Sequence, residues 1–170
     1  VSPMRPMFLA HRRTPALSRP AQFVYDVLRE IAADVARWAA ALSSVGAGQG
    51  DRVIQICENR YEWIVADLAV HLTGAVHVAV HATLSGPQMA FQILDTGAQL
   101  VLLSNATVAE ELSKASVEWP GGARFFSYEP INHTIGGHRV ISWRDVVDAQ
   151  SDCSFESLSA EAVERTGPDD

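Results

Sequence analysis

A single lysine, Lys114, is all that the chain contains. A Walker-type phosphate loop needs Gly-Lys-Ser/Thr, whereas Lys114 stands in Ser-Lys-Ala. No such loop is present, and a nucleotide-triphosphate site complete within this sequence is not expected. Cysteine is as scarce. Cys57 falls in an apolar run and Cys153 among polar residues, which excludes a disulfide framework and offers no metal-ligand spacing. Positive charge is also in deficit, with a formal net charge of −7. Nonspecific nucleic-acid binding needs basic patches, and Arg5, Arg12, Arg13 and Arg19 read instead as a solvated entry segment. No apolar run reaches the length of a membrane span, and the start lacks the hydrophobic stretch of a secretory signal. A soluble cytoplasmic protein is therefore expected. Internal repeats, low-complexity tracts and the Gly-x-Ser-x-Gly elbow of hydrolases are missing too.

What is there has the size and composition of one globular domain, 170 residues that are 48% hydrophobic and 19% charged, enough for a real core. Three short apolar runs rich in β-branched residues, Val53 to Cys57, Ala75 to Val80 and Leu100 to Leu103, are separated by helical stretches. That is the pattern of buried parallel strands in two βαβ units sharing a middle strand. The fold class expected is α/β: a mainly parallel, Rossmann-like sheet with helices on both faces.

Polar residues at the helix starts fit capping. Asn59 precedes Glu62 by three positions, Ser85 precedes Gln88 and Thr107 precedes Glu110, as capping boxes or near variants require. Gly74 and Gly97 stand where helices should stop. Apolar residues from Leu28 through Trp38 to Val45 recur at three and four, giving one face of a long helix from Gln22. Gly46, Gly48 and Gly50 follow that helix and precede a strand, the wrong order for a dinucleotide fingerprint. In the next helix Ile64, Leu68 and Leu72 read as the packed face, with Trp63 anchoring its start. His71, His77 and His81 have no acidic or cysteine partner at ligand spacing, so they read as packed or hydrogen-bonded residues and no metal is expected.

Beyond Asn105 a helix, a turn at residues 118–122 and a fourth strand at residues 124–128 are expected, followed by a loop at residues 129–139. A short strand at Val140 and Ile141 and a helix opened by Ser142 complete the series. The division is an irregular segment at residues 1–20, an α/β domain at 21–150 and a polar segment at 151–170.

Gly50-Asp51-Arg52-Val53, Glu58-Asn59-Arg60-Tyr61-Glu62-Trp63, Ala66-Asp67-Leu68-Ala69, Gly74-Ala75-Val76-His77-Val78 and Asp95-Thr96-Gly97-Ala98 share one order and register. Together they resemble the N-terminal part of the adenylate-forming (AMP-forming) acyl-CoA synthetases. The wording around Glu58 to Trp63 is closest to the long-chain fatty acid branch. The similarity is good over residues 21–112 and loose over 113–165. It implies an enzyme in which ATP and a carboxylic acid give an acyl-adenylate and pyrophosphate, and the thiol of coenzyme A then displaces AMP.

The cofactors it implies for the parent enzyme are ATP, Mg and coenzyme A, none bound tightly by this chain alone. The partners are the remainder of the same polypeptide and a fatty acid, with a homodimer and peripheral membrane association left open. Such chemistry needs phosphate clamps, supplied in these relatives by a lysine-bearing Ser/Thr/Gly-rich loop, a later Tyr-Gly-x-Thr-Glu motif and a lysine in a mobile C-terminal domain. None of these occurs here. In the family the phosphate loop follows a Pro-Asp-Asp-like stretch, and this chain ends at Pro168-Asp169-Asp170. The resemblance thus implies an N-terminal piece of a longer synthetase, inactive alone, onto which no catalytic residue is carried over.

What does carry over is a cleft position. The family's Tyr-Pro-Thr loop near the acyl-CoA cleft matches His81, Ala82, Thr83 and Leu84, with only Thr83 kept. The arginines that some relatives place for the phosphates of coenzyme A are replaced by Glu110 and Ser113 in that region. Two other readings compete. A stand-alone flavodoxin-like binding or signalling module needs an acidic pair at the first strand and a lysine at a later strand end, where Glu58 is alone and Lys114 is misplaced. A noncatalytic interaction protein descended from the enzyme differs only in whether the native gene stops at Asp170.

Overall fold

The computed structural model describes residues 18–150 and 155–165. Residues 1–17, the loop expected around Cys153 and the Pro168-Asp169-Asp170 stretch lie outside them. Six strands, β1 (Arg52–Ile56), β2 (Val76–Val80), β3 (Leu100–Leu103), β4 (Arg124–Ser127), β5 (Thr134–Ile135) and β6 (His138–Ser142), form a sheet in the order β2-β1-β3-β4-β6-β5. Every pairing is parallel except β5 with β6. The helices are α1 (Arg19–Ser44), α2 (Tyr61–Thr73), α3 (Gly86–Thr96), α4 (Ala106–Ser113), α5 (Trp143–Asp148) and α6 (Phe155–Arg165).

Successive strand residues face opposite sides of a sheet, and here they feed two cores. Ile54, Ile56, Val101, Leu103 and Phe125 pack under α3 and α4 with Met89, Ile93, Val108 and Leu112. Val53, Leu100, Leu102 and Phe126 pack on the other face against α1, α2 and α5 through Val35, Leu42, Val65, Val70 and Trp143. Among the described residues, the one buried polar side chain on the inner strands of that second face is Gln55. α1 spans 26 residues, about 39 Å at 1.5 Å per residue, yet its buried positions begin only at Val35. Phe23, Val24 and Leu28 in its first turns stay exposed.

Four local expectations are corrected. The packed face of α2 is Val65, Ala66, Ala69 and Val70, whereas Ile64 and Leu68 are exposed, because small residues let the helix lie close to α1 and the sheet. The loop expected at residues 129–139 contains β5, turned into β6 by Gly136 and Gly137, both at positive φ, as a tight hairpin requires. Gly136 also seats the hairpin on Trp119: a Cβ there would lie 2.3 Å from Trp119 Cδ1. The polar C-terminal segment includes α6, whose Phe155 and Leu158 pack on the second core. Finally, two of the three residues expected as caps, Asn59 and Thr107, do not stand at the cap position. α2 is entered at Arg60 without a side-chain cap, leaving no capping role for Asn59, and α4 is capped by Asn105, which accepts from Val108 N at 3.1 Å. In both cases the extended residue immediately before the first helical turn decides, since only there does a side chain reach the first free amides. Ser85 and Gln88 do form a capping box, with Gln88 Oε1 accepting from the Ser85 amide at 3.0 Å.

Candidate functional site

Strand order decides where a ligand edge lies. The chain leaves β1 to one side to make β2, then returns on the opposite face to place β3 on the other side of β1. The carboxyl ends of β1 and β3 therefore flank a topological switch point, the usual crevice of open parallel sheets. The register pairs Ile56 with Val80 and with Leu103, and Leu103 with Ser127, so the four strands finish level. The segments leaving them carry His81, Glu58, Asn105 and Glu129 side by side along one edge.

At the centre of that edge sits Arg60. Its guanidinium donates to Glu62 through Nε at 2.8 Å and through Nη2 at 2.9 Å, and to Glu129 at 3.2 Å, with Glu58 at 3.5 Å. Asn105 Nδ2 lies 3.4 Å from Glu58 Oε1 and ties the end of β3 to that of β1. The hydrogen bond from Arg60 holds the Glu62 carboxyl below the usual carboxylate range, and the same bond raises the guanidinium pKa. Glu62, expected as a capping partner, is thus an ion-pair partner of the residue that starts its helix. An arginine shared among three carboxylates organises strand ends. It has no charge to spare for a phosphate.

The neighbouring groups point the same way. Cys57 is buried, and burial, followed by the Glu58 carboxylate, pushes its thiol up to about 12, which removes it as a nucleophile near neutral pH. Lys114 is spent on Glu111, three positions earlier at the end of α4. Among the described residues, no group of three or more histidine, cysteine or acidic side chains is arranged to hold a metal.

His81 and Thr83 are exposed at the carboxyl end of β2. Ala82 and Leu84 pack against the core under α3 and α4, and Leu84 N donates to His81 O at 3.3 Å to close the turn. His81 is therefore an edge side chain rather than a packed one. His77, by contrast, points into the second face, where Nδ1 lies 2.7 Å from Asp67 Oδ1 and Nε2 lies 2.8 Å from Gln55 Oε1. Gln55 Nε2 donates in turn to Tyr128 Oη at 2.7 Å. Asp67 was the acidic partner that spacing along the sequence did not reveal.

The family profile described as "AMP-binding enzyme" matches residues 13–135. The chain belongs to the AMP-binding enzyme family. Among curated members, a long-chain-fatty-acid–CoA ligase, FadD15 of Mycobacterium bovis, is 38% identical over 92 residues, which is 52% of this chain and 15% of that protein. An acetyl-coenzyme A synthetase of Methylobacillus flagellatus is 32% identical over 136 residues, 73% of this chain and 21% of that one. Among solved structures, the N-terminal domain of FACL13 from Mycobacterium tuberculosis superposes with a TM-score of 0.58 at 22% identity, covering 73% of this chain and 29% of that one. The likeness to FACL13 bears on the fold. The chain spans 15% and 21% of the length of these two curated relatives.

Proposed function

We propose that this chain is the N-terminal α/β portion of an ATP-dependent acyl-CoA synthetase that activates a long-chain fatty acid through an acyl-adenylate to its coenzyme A thioester. The observation that carries this reading is the family match over residues 13–135, which takes in all five motifs in one register. The 38% identity to FadD15 over 92 residues favours a long acyl chain, against the 32% identity to an acetyl-coenzyme A synthetase over a longer stretch. Residues 21–150 act as part of the large domain of the parent, 1–20 lead into it, and 151–170 lead toward its phosphate loop.

ATP, Mg and the phosphates of coenzyme A are held elsewhere in the parent polypeptide, because the one lysine and the central arginine here are already paired. This chain contributes the wall at His81, Ala82, Thr83 and Leu84, at the ligand edge of the sheet. The remainder of the polypeptide and the fatty acid are its partners, with a homodimer and a peripheral membrane position compatible with the reading. No helix among the described residues is long and apolar enough to cross a membrane.

The strand order β2-β1-β3-β4-β6 is also that of flavodoxin-like modules, which is the observation favouring a stand-alone binding or signalling domain. A fold hosts many functions, and the site decides between them. Expression of the native coding sequence, followed by fatty-acid-dependent ATP–pyrophosphate exchange, tests the proposal. A frame continuing past Asp170 into a lysine-bearing Ser/Thr/Gly-rich loop, with exchange activity, is expected. A native product that stops at Asp170 and supports no exchange overturns it.

A further inference from the structure

A buried line of hydrogen bonds crosses the sheet beneath α2. It runs from Asp67 on α2 to His77 on β2, to Gln55 on β1 and to Tyr128 at the end of β4, through contacts of 2.7, 2.8 and 2.7 Å. Gln55 is fully buried and the His77 side chain is 5% exposed, while the Asp67 carboxylate keeps 30% of its surface in solvent, so the two central members are shielded from water and the acidic end is not. The ring of Tyr128 packs against Trp38, with centroids 5.3 Å apart. With Trp38, Tyr61 and Trp143 it lines a cavity of about 230 Å³ near the carboxyl ends of β1, β4 and β6.

Donor and acceptor roles in this line are coupled. The Asp67 carboxylate accepts, so His77 Nδ1 carries a proton. With Gln55 oriented so that Nε2 donates to Tyr128, its Oε1 can only accept, and His77 Nε2 must carry a proton as well. That amide orientation is the one that suits imidazolium. Neutral His77, with a lone pair on Nε2, is satisfied when the Gln55 amide turns over. Nε2 of Gln55 then donates to the imidazole, and Oε1 accepts from the Tyr128 hydroxyl. Both arrangements use every contact, and they differ by one proton and a half-turn of one amide.

We propose that His77, Gln55 and Tyr128 form a proton-driven relay in which protonation of His77 turns the Gln55 amide and switches the Tyr128 hydroxyl from donating to Gln55 to accepting from it. In the protonated state the phenolic hydrogen is released to another acceptor, changing the donor character of a residue that walls the cavity. The groups facing His77 are Asp67 and His71 from α2, with the ring of Trp63 at 5.6 Å, and Gln55 from β1. Cys57, Arg60 and Glu62 act on Tyr128. Burial lowers the His77 pKa below its ordinary value, with the Asp67 charge opposing, so the switch falls on the acid side of neutrality. Burial holds the Tyr128 phenol well up, which keeps its hydrogen in place throughout.

The test is NMR of the full 170-residue chain, titrating the His77 imidazole nitrogens, the Gln55 side-chain amide and the Tyr128 Cζ between about pH 4 and 8. A single shared midpoint for all three is expected. A Tyr128 resonance that stays flat while His77 titrates overturns the relay. Gln55→Met keeps the volume and removes the amide, so His77 should still titrate while the linked Tyr128 step disappears. A persisting Tyr128 step in a folded Gln55→Met chain assigns it to the field of the His77 charge and also overturns the relay. If that variant does not fold, the wild-type nuclear Overhauser contacts of the Gln55 amide hydrogens decide: they must move from the His77 ring to the Tyr128 ring as His77 protonates, and contacts that stay in place overturn the relay.

Discussion

Gly86→Ala is the substitution whose cost can be worked most directly from the structure. Gly86 opens α3, immediately after the His81–Leu84 turn, and faces α4 so closely that a Cβ would lie 2.0 Å from Glu111 O and 3.0 Å from the carbon of that carbonyl. Both are backbone atoms within α4, so no rotamer change relieves the clash. Restoring van der Waals contact requires α3 and α4 to separate by more than about 1 Å, opening space in a core packed at crystal-like density. Overpacking of this kind costs about 1–3 kcal/mol. Alanine returns only a fraction of its helix-propensity advantage at a first-turn position, where most amides lack helical partners anyway. A net loss of about 2 kcal/mol is expected, which corresponds to a fall in Tm of about 4–8 °C for a chain of this size. Urea unfolding followed by tryptophan fluorescence gives the free energy, and a thermal scan gives the Tm. Gly121→Ala is the control, since nothing lies within 4 Å of its Cβ position, and it should stay within about 0.5 kcal/mol of wild type. A Gly86→Ala chain as stable as that control would refute the close α3–α4 contact.

Other expectations follow from the same contacts. Asn105→Ala should cost about 1 kcal/mol in urea unfolding through loss of the α4 cap, while Asn59→Ala, which caps nothing, should leave the midpoint unchanged. The folded-state pKa of Glu62 is lowered, so its contribution to stability is present above its unfolded value of about 4.3 and is lost as pH falls through the folded value. The urea midpoint should accordingly drop on the acid side, and Glu62→Gln should flatten that drop. Cys57, with its thiol pushed up to about 12, should resist iodoacetamide at pH 8 until denaturant is added, as peptide mass mapping would reveal. In the full-length synthetase proposed above, His81→Tyr should alter acyl-chain preference or the KM for coenzyme A with little change in unfolding midpoint. A fall in stability with unaltered preference would remove His81 from the cleft wall.

The parts of this fold that were legible in the sequence are those written in large apolar residues. The β-branched runs of β1, β2 and β3 and the order strand–helix–strand are enough for the parallel sheet. The face of α2 was not legible, because periodicity weighs Ile64 and Leu68 while the packing is made by Ala66 and Ala69 beside Val65 and Val70. β5 is two residues long, too short for an alternation, although Gly136-Gly137 was a hairpin signal. Trp119 was read as part of a turn, yet it is buried against Phe125 with ring centroids 5.2 Å apart. At the site, the edge positions follow from strand ends alone. The partners do not: Arg60 meets Glu129 across 69 positions and Gln55 meets Tyr128 across 73, distances over which no local spacing rule operates. The Asp67–His71 pair at i, i+4 was readable, but it is His77 on the next strand that takes the carboxylate at 2.7 Å.

The central claim is that this chain supplies the strand-end framework of an adenylate-forming site without the phosphate clamps that drive the reaction. The most direct measurement is fatty-acid-dependent exchange of labelled pyrophosphate into ATP by the purified 170-residue chain, run beside a complete long-chain CoA ligase as positive control. No exchange above the protein-free background is expected, since the only lysine is paired with Glu111 and the arginine at the centre of the strand-end edge with carboxylates, so neither is free to clamp the developing phosphate charge. Reproducible exchange that requires both the fatty acid and the folded chain would contradict the claim.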